Sequence, residues 1–482
     1  MIAVLPRRAP RSGALIAIGL LLLALAGEMI AGDALATGQM SLVAALGVAI
    51  TFALAFAFWR QAVFGVFVLV FVEGYARNYV NSPTVLLVKD LVLLAIYLRV
   101  FGDRVFRRLP LIPASPINVP LAVFAGIVVV QMANPHVTSF QQALVGVRTW
   151  LYYAPLYFVA QEMIGDEAAL RRLARFVLLC ALPICGLGLY QYVRGSGAYA
   201  ALGTGFANAT FASGQGTGMI FRPNATFAWS SDFALFLALS TLLCLGLLMG
   251  SRGRQRWIFT LLLVGLIVAN VIENQRTLLV LLPPLMLIAA ALRRSSGTIV
   301  TGALAVALGL AAVALIASPG TFMRVDGLVR NQNGVFHVRA MTYLDHFRLA
   351  LGSPIGFGTG ATSIGTRYVS GNIPLFVEFS LAKVAGDLSL VGIAAYLWMF
   401  VVLLRTTLSA HRRAETRDWM GAAGLCAAVF VYQLLVLYTG YDLAVVAIPF
   451  WFLGGAMARI AMSPVSRPAI AHRDRSEVPR WS

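Results

Sequence analysis

Arg148, Arg222, Arg276 and Lys89 are the residues of this 482-residue chain whose type and placing suit chemistry best. They stand in Val147-Arg148-Thr149-Trp150, Phe221-Arg222-Pro223-Asn224, Gln275-Arg276-Thr277 and Val88-Lys89-Asp90, each inside or at the edge of an apolar run. Ionisable groups at membrane depth are costly and default to a functional reading. Further cations, Arg324, Arg330, Arg339, Arg348, Arg367 and Lys383, crowd the interval 318–384. A guanidinium offers a fixed fork of donors that matches phosphate oxygens better than the point charge of an ammonium. Several arginines at one depth therefore suit a large anion, such as a diphosphate, handled at a membrane surface. Each residue also has a structural reading. Glu273 and Arg276 at i, i+3 can form a local ion pair, and Lys89 can snorkel to the interface or satisfy Glu73 or Asp90.

The elements that must position these groups follow from composition. The mean hydropathy is +0.83, and 60% of residues are hydrophobic against 12% charged, which excludes an ordinary soluble domain. A bilayer core of ~30 Å needs ~20 apolar residues per helix. By that ruler the chain is an all-α polytopic membrane protein, a single membrane domain over 1–482 with about 12–14 transmembrane helices. The candidate spans are about 13–31, 40–58, 62–74, 84–101, 116–132, 143–161, 173–193, 226–249, 256–272, 277–292, 298–316, 385–404, 418–437 and 443–458. The span at 62–74 is short enough to be re-entrant. Cys180, Cys185, Cys244 and Cys426 all fall inside spans and read as small buried hydrophobes, with no disulfide or zinc spacing. Arg7, Arg8 and Arg11, an apolar run and Ala34-Leu35-Ala36 resemble a secretory signal. Glu28, Asp33 and the many later spans favour an uncleaved first helix.

Loop charge sets the orientation. Alternating from an inside N-terminus, the inner loops collect most of the 37 Lys and Arg, from the Arg99–Arg108 cluster to the tail at 459–482. Short cytoplasmic loops are the basic ones, so both termini are expected in the cytoplasm. Inner-loop cations facing anionic head groups explain most of the net charge of +18, which leaves nucleic acid as a poor partner. The inner loops are too short for a nucleotide-binding domain, and the chain has no Walker-type loop. No Asp-x-Asp pair occurs, so a metal-held nucleotide-sugar is not expected. Any chemistry must act on a membrane-borne substrate that carries its own activation.

Two outer segments have room for a site. The first, 194–225, is rich in Gly, Ala, Ser and Thr, lacks a helical period over Ala198–Thr217, and reads equally as a sugar groove or a solvated loop. It contains Asn208-Ala209-Thr210-Phe211-Ala212, which returns as Asn224-Ala225-Thr226-Phe227-Ala228. The second, 318–384, is a long periplasmic loop. Within it, Gly334–Leu351 has an apolar stripe of Phe336, Ala340, Tyr343, Phe347 and Leu351, and predicts an amphipathic helix lying on the membrane surface. Ser353-Pro354-Ile355-Gly356-Phe357-Gly358-Thr359-Gly360 follows. Its glycines suit either a plain tight connection or a set of backbone N–H groups facing a phosphate.

Taken in order, these pieces resemble the O-antigen ligase and polymerase family of bacterial cell-surface polysaccharide assembly, over about 140–405. The resemblance is carried by Arg222-Pro223-Asn224-Ala225-Thr226-Phe227 entering a helix and Gln275-Arg276-Thr277 opening another. Arg339 ahead of the glycine turn, and Glu378 through Asp387-Leu388-Ser389-Leu390-Val391-Gly392 entering the next span, complete it. The family implies a GT-C-like, all-helical, metal-independent inverting glycosyltransferase without a cofactor. Its donor is a glycan on an undecaprenyl-type diphosphate, and its partners would include a chain-length regulator or other polysaccharide-assembly proteins. Arg222, Arg276 and Arg339 match the family's arginine positions, with Arg148 and Lys89 as further cations for the diphosphate. Ligases place a histidine just before the span after the long loop. Here that region reads Asn372-Ile373-Pro374-Leu375-Phe376-Val377-Glu378-Phe379, which leaves Glu378 as the nearest candidate base and His337 as another. The resemblance therefore leans to an inner-membrane polymerase. Its rivals are a ligase acting on a lipid acceptor and a lipid-linked oligosaccharide flippase, although no repeat relates the two halves.

Overall fold

The computed structural model describes residues 42–80, 86–209, 211–213, 220–292, 300, 302–303, 306–309, 311, 335–366, 375, 377, 380–416 and 420–463. Most of them are helical. The helices are α1 (Leu42–Ala57), α2 (Trp59–Val80), α3 (Leu86–Phe106), α4 (Asn118–Val130), α5 (Phe140–Leu151), α6 (Leu156–Met163), α7 (Glu167–Ala200) and α8 (Thr204–Ala209). After a small hairpin come α9 (Ser230–Met249), α10 (Arg254–Glu273), α11 (Arg276–Leu292), α12 (Val335–Leu351), α13 (Ser380–Thr416), α14 (Met420–Thr439) and α15 (Ala444–Met462).

Among the described residues, seven helices are long and apolar enough to cross a membrane: α2, α7, α9, α10, α13, α14 and α15. Shorter apolar helices stand at the predicted spans 40–58, 116–132 and 277–292. Four expected spans fare otherwise. That at 13–31 lies outside the described residues, and that at 298–316 lies largely outside them. The span at 84–101 forms as α3, but Lys89, Asp90, Arg99, Asp103 and Arg104 make it too charged to count by hydropathy. The span at 143–161 is broken: α5 ends at Leu151, a turn through Pro155 follows, and α6 runs only to Met163. The run at 62–74 is not a short re-entrant piece; α2 continues to Val80 and so is a full-length helix. Glu73, Arg77 and Asn78 cut the hydropathy run short without ending the helix, because Glu73 finds its counter-charge on α3.

The core is built around α9, α14 and α15, whose faces are buried nearly all round. In an apolar solvent helices associate by close packing, so small residues mark the contacts. A β-carbon on Gly424 of α14 would lie 2.3 Å from the Gly246 carbonyl oxygen of α9, and one on Gly455 of α15 would lie 1.9 Å from the Tyr157 carbonyl oxygen of α6. Buried amides find partners between helices: Thr407 donates to Gln433 at 2.9 Å, and Asn270 to Thr241 at 3.1 Å. Cys244 and Cys426 are buried and unbridged.

The bundle has two distinct ends. At one, Arg104 pairs with Glu162, the Ala422 N–H donates to Glu167, His411 meets the carbonyls of Ala423 and Leu292, and Arg413 donates to the Ser463 carbonyl. At the other, Gln131 and Asn134 donate to the Ile355 carbonyl, Tyr343 bonds Tyr438, Lys383 pairs with Asp442 and Arg222 with Glu273. Each contact joins segments that the alternation read from the sequence puts on the same side.

The segment 194–225 is more regular than a solvated loop. The helix of α7 continues through a bend at Gly195 (φ 78°) to Ala200, α8 follows, and Phe211–Ser213 pairs antiparallel with Ile220–Arg222. Phe206 is buried between Tyr75 and Tyr199. In α12 the half-buried face is Thr342, Tyr343, His346 and Phe347, and Tyr343 bonds Tyr438, so this face of the helix docks on the bundle. Of the predicted stripe, Ala340 and Leu351 are exposed.

Candidate functional site

The charged residues at the second end form paired sets. On α2 and α3, Lys89 holds Glu73 at 2.8 Å, and the lysine side chain is 1% exposed. One residue on, Asp90 accepts from the Arg148 Nε of α5 at 2.7 Å and from Tyr153 at 3.2 Å, while Tyr152 donates to the Asp90 carbonyl. Adjacent residues of one helix turn, Lys89 and Asp90, thus reach partners on two other helices. Lys89, Asp90 and Arg148 all lie within electrostatic reach of Glu73. A third pair, Lys383 with Asp442 at 2.7 Å, ties α13 to the turn before α15. Asp232 of α9 connects these sets, being within reach of Arg77, Glu73 and Asp442. Its Oδ1 is buried and accepts no hydrogen bond among the described residues. Arg77 in turn packs over Trp229, 5.7 Å from the ring centre.

A second corner is built by the hairpin and the α10–α11 turn. Arg222 donates from Nε to the Glu273 carbonyl at 3.2 Å, and its terminal nitrogen bonds the carboxylate of Glu273 and the amide oxygen of Gln275. Asn274 holds the turn in the left-handed conformation (φ 64°), and both amide atoms of its buried side chain lack a hydrogen-bond partner among the described residues. Arg276, the first residue of α11, follows directly. The two arginine motifs, 51 residues apart at the Arg222–Glu273 bond, therefore meet. Gln191 of α7 fixes the same corner: its amide oxygen accepts from the N–H groups of Asn224 and Ala225, and its NH2 donates to the Ala225 carbonyl.

The glycine turn at 353–360 presses against α5, where a β-carbon on Gly146 would lie 2.3 Å from the Gly360 nitrogen. Several of its backbone N–H groups are spent inside the protein. Asp387 accepts from Gly360 N–H (3.2 Å), Thr362 N–H (2.7 Å) and the Trp150 indole (2.8 Å), while Phe357 N–H goes to the Gly386 carbonyl and Thr359 N–H to that of Gln131. An internal carboxylate occupies the place where a phosphate was one of two readings. The structure favours the tight connection.

Of the residues singled out from sequence, Lys89 and Arg148 come together in one cluster, while Arg222 stands in the corner beside Arg276. Arg148 keeps 33% of its side chain exposed and has donors to spare, whereas Lys89 is enclosed. Lys89 satisfies Glu73, as its structural reading had it, and Glu273 pairs with Arg222. His337 is exposed on α12, and Arg339 lies on the same helix. The side chains of Arg276 and Arg339, and the whole of Glu378, lie outside the described residues. Asp232, Arg77 and Asp442 were missed, although a carboxylate three residues into α9 carried the same signal that singled out Lys89. Among the described residues no group of His, Cys, Asp and Glu is placed to hold a metal ion. No protein-family model matches the chain, and no curated protein matches it.

Proposed function

We propose that this protein is a glycosyltransferase that polymerises oligosaccharide repeats carried on an undecaprenyl-type diphosphate, at the outer face of the bacterial inner membrane. Both termini would lie in the cytoplasm. The observation that carries the reading is the corner in which Arg222, Glu273, Gln275 and the start of α11 at Arg276 converge at the same end of the bundle as Arg148. On this reading the donor diphosphate draws the guanidinium of Arg222 away from Glu273, with Arg276 and the free donors of Arg148 completing its coordination. The acceptor hydroxyl oxygen attacks the anomeric carbon from the face opposite the phosphate, the carbon–oxygen bond to the diphosphate breaks, and configuration inverts. The hydroxyl proton passes to Glu378, or to His337 on α12. Lipid diphosphate leaves as a stable anion, and arginines already in place offset the charge that gathers on it.

The test is to incubate purified protein in nanodiscs, with EDTA, with a lipid-diphosphate-linked repeat and to resolve the products on a gel. A ladder of lengthening lipid-linked glycans is expected. Transfer to a terminal lipid acceptor without a ladder would instead make the protein a ligase. Because Arg222→Ala alone strands the buried Glu273, the informative variant is Arg222→Ala with Glu273→Gln, which is expected to fold and to lose at least about tenfold in turnover, ~1.4 kcal/mol of transition-state stabilisation. The enclosed Lys89–Glu73 pair gives a flippase some support, since carriers place such charges within the membrane. Glycan translocation across sealed vesicles without any transfer would select that reading.

A further inference from the structure

Between α7 and α10 the structure holds a groove of about 230 Å³ with almost wholly apolar walls. Ala181, Cys185 and Gly188 of α7 line one side, Leu262, Gly265 and Ala269 of α10 the other, and Phe233 of the buried helix α9 closes the back. From Ala181 to Leu189 it runs along α7 for ~12 Å. Both walls are helices long and apolar enough to cross a membrane, and Leu182 and Leu189 at its edge are exposed. An occupant at that depth must be hydrocarbon, because nothing in the walls would satisfy a polar group.

One end of the groove is chemically marked. Its last α10 residue is Ile272, directly before the Glu273 that holds Arg222. On α7, a β-carbon on Gly188 would sit 3.6 Å from Ala225 Cβ, and Gln191 one turn on clamps the Asn224-Ala225 backbone. Asn274, with its unpartnered buried amide, belongs to the same turn. The groove thus leads straight out of the corner assigned to the diphosphate. We infer that it seats the carrier-proximal part of the polyprenyl chain, so that the Arg222 corner and the groove read head and tail of one lipid. This rests on the donor being a lipid diphosphate. Glycine supplies the room: a β-carbon on Gly186 or Gly265 would meet nothing within 4 Å, so both positions open onto free space.

The experiment is to titrate full-length protein in detergent with three probes: a long-chain polyprenyl diphosphate, inorganic diphosphate and phosphatidylglycerol. Gly186→Leu and Gly265→Leu add bulk to the groove at positions where a β-carbon meets nothing within 4 Å, and Gly126→Leu, on α4 with equally open surroundings, is the control. The two groove variants are expected to weaken the long-chain diphosphate by at least about tenfold, as loss of several buried methylenes requires. They should leave inorganic diphosphate and the melting temperature unchanged, and Gly126→Leu should behave as wild type. Unchanged long-chain affinity in both variants, or no wild-type preference for the long chain over inorganic diphosphate, would overturn the inference. An equal loss for phosphatidylglycerol would do the same, making the groove a site for bulk lipid. Chain-selective binding without glycan transfer would leave the groove standing and sink the polymerase reading, and transfer with chain-independent binding would do the reverse.

Discussion

At the scale of single residues, four of the cations that suggested an anion site turn out to be engaged with carboxylates. Lys89 meets Glu73, Arg148 meets Asp90, Arg222 meets Glu273 and Lys383 meets Asp442. Only the first set of partners is within sight of the sequence, which offers Glu73 and Asp90 as partners for Lys89. The others lie more than fifty residues apart along the chain, and no local pattern predicts such pairing. A buried charge that loses its partner is far costlier than a pair removed together. Lys89→Met is therefore expected to cost ~3–5 kcal/mol and to lower the melting temperature in detergent. Adding Glu73→Gln should restore most of that loss. A double variant as unstable as the single would show that the lysine acts through packing and not through its charge.

The elements were far more legible. Uninterrupted apolar runs predicted helices at 226–249, 256–272 and 443–458, and α9, α10 and α15 fall on them to within a few residues. The helix at 334–351 was equally plain from its period. Breaks were not legible, because their causes are tertiary. The fold interrupts 143–161 where Tyr152 and Tyr153 turn to reach Asp90. It interrupts α13 at Ser389 (φ 69°, ψ −174°), two residues from the Asp387 carboxylate that gathers the glycine loop. That region of backbone space is almost confined to glycine, and holding another residue in it costs on the order of 1–3 kcal/mol. Ser389→Gly should accordingly raise stability by about 1 kcal/mol after the added chain entropy of glycine. Ser389→Val should lower it. Thermal unfolding of both variants checks the sign, and a destabilised glycine variant would remove strain as the account of the break.

For the whole molecule, the two ends separated by the structure correspond to the two sides assigned by loop charge, and thiol labelling can decide which faces out. On a background with the four native cysteines replaced, Asp345→Cys on α12 is expected to react with a membrane-impermeant reagent in intact cells. Arg175→Cys on α7 should react only after the membrane is opened. The reverse pattern would invert the topology and with it the proposed function. The pairing of charges has a further consequence for how a substrate arrives. Among the described residues Arg77, Lys89, Arg148 and Lys383 are matched in number by Glu73, Asp90, Asp232 and Asp442, so this cluster adds little net field at the mouth of the site. Long-range attraction, which speeds encounters and fades as salt rises, has little to act on there. An anionic lipid would reach this protein by sideways diffusion within its leaflet, and turnover should stay within about twofold over an about tenfold rise in ionic strength. A steep fall would mean that the carboxylates are neutralised in the working enzyme and that the arginines draw the substrate in from a distance.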